Sequence, residues 1–125
     1  MVRCLERIEA KVPATVPLLQ TDVDLQDILM LNLERLVQLS VDVAALLIAR
    51  KNLRPVPTTM ADSFDVLCLA GIIPEALKVR MRKAVGFRNL AVHEYDKINW
   101  QIVYLIATKH LEDFKQFARI VESLP

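Results

Sequence analysis

Residues 29–51 read LMLNLERLVQLSVDVAALLIARK. Leu29, Leu33, Leu36, Ser40, Val43 and Leu47 recur four and three residues apart, and Val37, Val41, Ala44 and Ile48 form a neighbouring stripe. That is the 3.6-residue period of an amphipathic α-helix. Two adjacent stripes make an apolar face too wide for one partner helix. The helix is therefore either central in a bundle or packed also against a second subunit. Arg50 and Lys51 suit its C-terminal dipole, and Pro55 and Pro57 forbid its continuation.

Outward from this helix the chain punctuates itself. Upstream, Thr21-Asp22-Val23-Asp24 supplies capping oxygens and first-turn acids. Before that, Leu5, Ile8 and Val12 predict a first helix from Val2 to about Val12, ended or kinked by Pro13 and Pro17. Downstream, a third helix is predicted from Thr58 or Thr59, with Asp62 near its third position, to Gly71. Pro74 and Glu75 open a fourth, which turns Leu77, Met81, Ala84 and Val85 inward. Asn99 caps a fifth, whose apolar face is Val103, Ala107, Leu111, Phe114 and Phe117/Ala118. The reading is all-α: a single domain over 1–125, an up-and-down bundle of four to five helices without strands.

Composition narrows the function classes. At 125 residues the chain is too short for a two-domain enzyme, and 54% hydrophobic residues exclude disorder. Two glycines and 6% aromatics argue against an all-β fold and leave no glycine-rich phosphate loop. Sixteen basic against fifteen acidic residues give a net +1, so a nucleic acid must be met by a local patch. Arg3, Glu6, Arg7 and Glu9 interrupt the stretch where a signal peptide needs apolar residues. Uncharged runs such as 12–21 and 66–74 fall short of a spanning helix. Cys4 and Cys68 form no CxxC and read as reduced thiols of a cytoplasmic protein. Two histidines without ligand spacing argue against a metal site, and no cofactor is expected.

One segment concentrates unusual residues. From Lys78 to Arg88 there are five basic residues (Lys78, Arg80, Arg82, Lys83 and Arg88) and no acidic one. Arg88 lies eleven residues after Leu77, which returns it to within about 20° of that residue's direction on a helix. A guanidinium is thus aimed along an apolar face, where it needs a partner or a cavity. His93 follows five residues later, about 140° away round an unbroken helix. The two converge only if the helix ends or bends between them, or if each meets residues of another subunit.

Residues 86–96, Gly86-Phe87-Arg88-Asn89-Leu90-Ala91-Val92-His93-Glu94-Tyr95-Asp96, resemble the GFRNxxVHEYD signature of the HepT family in the HEPN superfamily of small helical proteins. Val41-Asp42-Val43, Leu53-Arg54-Pro55-Val56-Pro57 and Ala70-Gly71-Ile72-Ile73-Pro74 extend the resemblance from the second helix to the C-terminus. The first helix, interrupted by Pro13 and Pro17, departs from it.

The resemblance implies the toxin of a toxin–antitoxin pair: a homodimeric, metal-independent endoribonuclease with an R-x4-H-x-Y motif facing its copy across an interface cleft. A second subunit would then cover the extra stripe of the long helix. His93 would move the proton as the RNA 2′-hydroxyl attacks phosphorus, leaving a cyclic phosphate. Arg88 would oppose the developing charge, and Asn89 would hold the phosphate or orient the imidazole. Tyr95 is implied to accept AMP from a minimal nucleotidyltransferase antitoxin of the MntA type, filling the cleft with bulk and negative charge. Lys78, Arg80, Arg82 and Lys83 are candidates for RNA contact, and Asp42 for pairing with Arg88 or lining the cleft. The alternative is a HEPN module without catalysis, recruiting substrate for a nucleotidyltransferase.

Overall fold

Asp22 starts the longest helix, its carboxylate accepting a hydrogen bond from the backbone N–H of Leu25 at 3.1 Å. In the computed structural model, which describes all 125 residues, this helix, α3, runs Val23–Lys51. It stops at Asn52, which takes the left-handed conformation at φ 51°. The N–H groups of Asn52 and Leu53 then turn back to the carbonyls of Ala49 and Ile48, satisfying the last turn as a Schellman cap does. Asn tolerates this backbone better than other non-glycine residues.

Both predicted stripes of α3 are used inside the chain. Leu29, Leu33, Leu36 and Ser40 are buried, and so are Val37, Val41, Ala44 and Ile48. The covering elements are α1 (Val2–Lys11), the short α2 (Val16–Thr21), α4 (Asp62–Leu69), α5 (Glu75–His93) and α7 (Leu111–Glu122). The long helix is thus central in its own bundle, and the second stripe needs no second subunit. What α3 leaves exposed is a different set, Val23, Leu31, Leu39 and Leu46.

The remaining boundaries follow short-range chemistry. Val12 is extended, as the residue before a proline prefers, and closes α1. Pro17 does more than break a helix: it occupies the first turn of α2, an element the sequence reading did not contain. Thr59 and Asp62 exchange hydrogen bonds ahead of α4, the Thr59 hydroxyl accepting from the Asp62 N–H and the Asp62 carboxylate from the Thr59 N–H. Gly71, at φ 76°, closes that helix by a second Schellman arrangement. Pro74 stands immediately before α5.

The last predicted helix is one rod in two parts, α6 (Trp100–Leu105) and α7, joined by a π turn over Ile106–His110. Asn99 caps it, accepting from Gln101 N–H at 2.9 Å. The wider turn keeps Val103, Ala107, Leu111, Phe114 and Phe117 all buried. Phe117 meets Phe64 edge to face, ring centroids 5.6 Å apart, in the middle of the core. No helix is long and apolar enough to cross a membrane.

Candidate functional site

α5 carries the motif, and it is helical without interruption from Glu75 to His93. Arg88 therefore shares the inward face with Leu77 and Met81, while His93 lies on the outward side with Lys83, Gly86 and Leu90. One chain alone does not aim both groups at one point. The first way of bringing them together, a break between them, is absent.

Arg88 is half-buried and makes no ion pair within 4.0 Å. Its Nε is buried without a hydrogen-bond partner, and Nη1 reaches only Asn89 Oδ1, at 3.5 Å. An arginine left with donors in hand beside an amide side chain is suited to an oxyanion. Asp42 does not neutralise it: that carboxylate is exposed and accepts from Gln38 Nε2 at 2.9 Å. His93 is exposed at the C-terminal end of α5, open to a substrate proton.

The basic run before the motif is largely braced. Lys78 Nζ lies 2.7 Å from Glu75 and 3.9 Å from Asp65. Arg80 Nε donates to Asp113 at 2.6 Å, and Arg82 pairs with Asp65 and, at 3.3 Å, with Asp62. These contacts tie α5 to α4 and α7. The Thr58 hydroxyl first, and Arg82 second, hold Asp62 below its ordinary value of 3.8. Of the four candidates ahead of the motif, Lys83 alone is exposed and free of an ion pair.

Tyr95 sits two residues past the histidine, in a 3-10 turn over Tyr95–Lys97. Its ring packs edge-on against Trp100 at 6.1 Å, and its hydroxyl donates to Asp27 Oδ1 at 3.4 Å. Partial burial, then the charge of Asp27 and its hydrogen bond, then Glu34, raise the phenol above its ordinary value of 10. The hydroxyl thus stays protonated at neutral pH. Asp27 and Glu34 lie two turns apart on one face of α3, and sequence reasoning missed both. Nothing local ties Asp27 to a tyrosine 68 positions away.

Beside the motif, an apolar groove of about 360 Å³ opens between α5 and the α6–α7 rod. Phe87 of the motif lines it from α5 with Lys83 and Ala84, and Ile102, Leu105 and Ile106 line it from the rod. Ile102 and Leu105 are exposed. No three His, Cys, Asp or Glu side chains gather as a set able to hold a metal ion.

The chain belongs to the ribonuclease HepT-like family, whose profile matches residues 1–121. It is 36% identical over 121 residues to the mRNA nuclease HepT of Shewanella oneidensis, covering 97% of this chain and 90% of that protein. Among solved structures it is similar to a toxin–antitoxin complex with AMP-PNP, with a TM-score of 0.91 and 33% identity, covering 98% of this chain and 91% of that one. It is equally similar to a tri-AMPylated Shewanella oneidensis HEPN toxin in complex with its MNT antitoxin: TM-score 0.90, 34% identity, and coverage of 98% and 90%.

Proposed function

We propose that this chain is the toxin of a HEPN/MNT toxin–antitoxin pair, a cytoplasmic, metal-independent endoribonuclease that acts as a homodimer. The observation that carries the reading is the state of Arg88, half-buried, unpaired and linked to Asn89, on the same uninterrupted helix as an exposed His93. In the reaction the RNA 2′-oxygen attacks the adjacent phosphorus and the 5′-oxygen leaves, so a 2′,3′-cyclic phosphate remains. His93 exchanges the proton, Arg88 faces the charge on the phosphorane, and Asn89 steadies either the phosphate or the guanidinium.

The divergence of Arg88 and His93 within one chain supports a site completed by two protomers. So does Gly86. It is exposed in the interior of α5, and a Cβ there would meet nothing within 4 Å. A helical glycine costs about 0.5–1 kcal/mol against alanine, so its use points to close approach by something outside the chain. Leu90, one turn further along that face, is exposed too, and a second copy laid there would cover apolar surface.

The same reading makes Tyr95 the acceptor of AMP from a MntA-type nucleotidyltransferase. The added phosphate and adenine would sit two residues from His93 and shut out RNA. The test is cleavage of RNA by purified dimer with chelator present, beside His93→Ala. Cyclic-phosphate ends from the wild type alone support the reading. Cleavage by a folded His93→Ala dimer sinks it, and an inactive wild type free of AMP points instead to a recruiting module without catalysis.

A further inference from the structure

The Tyr95 hydroxyl has one polar partner, the Asp27 carboxylate of α3. Asp27 has no other hydrogen bond through its side chain and no ion pair, and it is exposed, so water reaches its second oxygen. The ring of Tyr95 is steadied from the side by Trp100, which keeps the hydroxyl directed at α3. The phenol is neutral before reaction, because partial burial and the carboxylates of Asp27 and Glu34 hold its proton on. A neutral phenol that becomes a phosphodiester must lose that proton while the new bond forms. The acceptor has to stand within hydrogen-bond reach of the oxygen.

Resting on the reading of Tyr95 as the AMP acceptor, we propose that Asp27 of the toxin is the general base for its own modification: it aims the Tyr95 oxygen and takes its proton during transfer from a nucleoside triphosphate. The balance is simple. The Tyr95 Oη lone pair attacks the α-phosphorus of ATP, the Oη–P bond forms, and the bond to the β-phosphate oxygen breaks, releasing pyrophosphate. The phenol proton passes to Asp27 Oδ1 and from there to water. Nothing is oxidised or reduced. The resting distance of 3.4 Å is long for an O–H···O bond, as such contacts often are before substrate closes the site. Glu34 faces the same hydroxyl as a second charge and makes no hydrogen bond to it. It adds to the field without serving as acceptor, and so provides a control.

The experiment uses the intact toxin dimer with a MntA-type nucleotidyltransferase, magnesium and ATP, following pyrophosphate release and locating AMP by peptide mass. Asp27→Asn keeps an oxygen for the phenol but cannot take its proton. We expect kcat for AMP transfer to fall by about 10²-fold or more, the usual worth of a general base, with KM for ATP and for toxin unchanged. Asp27→Glu should regain much of the rate, and Glu34→Gln should stay near wild type. Circular dichroism on each variant checks the fold, which an exposed residue with one hydrogen bond is not expected to disturb. Asp27→Asn transferring at the wild-type kcat overturns the proposal and leaves Tyr95 as acceptor. A raised KM with intact kcat overturns it too, assigning Asp27 to docking. AMP found elsewhere than on Tyr95 in the wild type overturns this proposal and the reading beneath it together.

Discussion

Arg88 and His93 stand five residues apart on an α-helix that does not break between them, so their side chains leave the axis about 140° apart. The proposed site, which uses both, would therefore take one from each of two protomers. In a two-fold dimer built this way, each cleft combines the Arg88 of one protomer with the His93 of its partner. Mixing Arg88→Ala chains with His93→Ala chains then restores one intact cleft in every mixed dimer. After random re-pairing the mixture should recover about a quarter of wild-type RNA cleavage, while each variant alone is inactive. A mixture as dead as its components would place both groups of each site in one chain.

Gly86 separates the folding of the protomer from its pairing. Gly86→Ala should raise the stability of the folded chain by about 0.5–1 kcal/mol, because the helix gains and a Cβ meets nothing. Gly86→Leu should fold as well, yet shift the assembly toward monomer and lose cleavage. Light scattering across a dilution series checks this. A dimer unaffected by Gly86→Leu would put the interface elsewhere on the bundle.

The core prediction is independent of function. Phe117 is fully buried and lies edge-on to Phe64. Phe117→Ala should cost about 3–5 kcal/mol through lost burial and the cavity left behind. Phe117→Leu should cost less than half of that. Urea denaturation at one fixed protein concentration, which holds the contribution of dimerisation constant, measures both.

Acid should weaken the fold through specific pairs. The Thr58 hydroxyl and Arg82 hold Asp62 below 3.8. Lys78, with Cys68, holds Glu75 below 4.5, and Arg119 does the same for Glu112. Folded values below unfolded ones mean that these contributions are complete above the ordinary carboxylate values and are lost as pH falls through the folded ones. The melting temperature should therefore drop below about pH 4, and Asp62→Asn should flatten part of that drop. Lys78 and Lys115 run the opposite way. Glu75 and Glu9 raise them above 10.5, so their contribution is present below that value and disappears as pH climbs through the folded ones.

The features legible in the sequence were those set by neighbours in the chain. Asp22, Gly71 and Asn99 cap helices through contacts of a few residues, each where local chemistry placed it, whereas Thr59 braces the turn ahead of α4, which starts at Asp62 and not at Thr58 or Thr59. The burial of Leu29 through Ile48 followed from period alone, but what covers the second stripe depended on how five elements pack around α3. Pro17 was read as a breaker because its other use, opening a helix, needs the next turn to form. The π turn left no sign, since an apolar spacing of four suits an α-helix as well. Within the site, Arg88 could be placed by angle. Glu75 is an i,i+3 partner of Lys78 inside α5, but the carboxylates that claim Arg80 and Arg82 lie on α7 and α4, and Asp113 is 33 positions from its arginine. No local pattern reveals such partners.

The bracing of α5 also bears on how the proposed enzyme would hold RNA. With Lys78, Arg80 and Arg82 tied to carboxylates, only Lys83 and Arg88 on this helix remain to displace counterions from a phosphate chain. Two displaced ions on a single strand make the share of this helix in the dependence of log K on log salt about −1.4 for each protomer, or about −3 for a dimer. That is a shallow slope, far from that of a protein that tracks along a polyanion. Along α5 the charge free to meet a phosphate is gathered at the proposed site, while the other cations of this helix hold the bundle together.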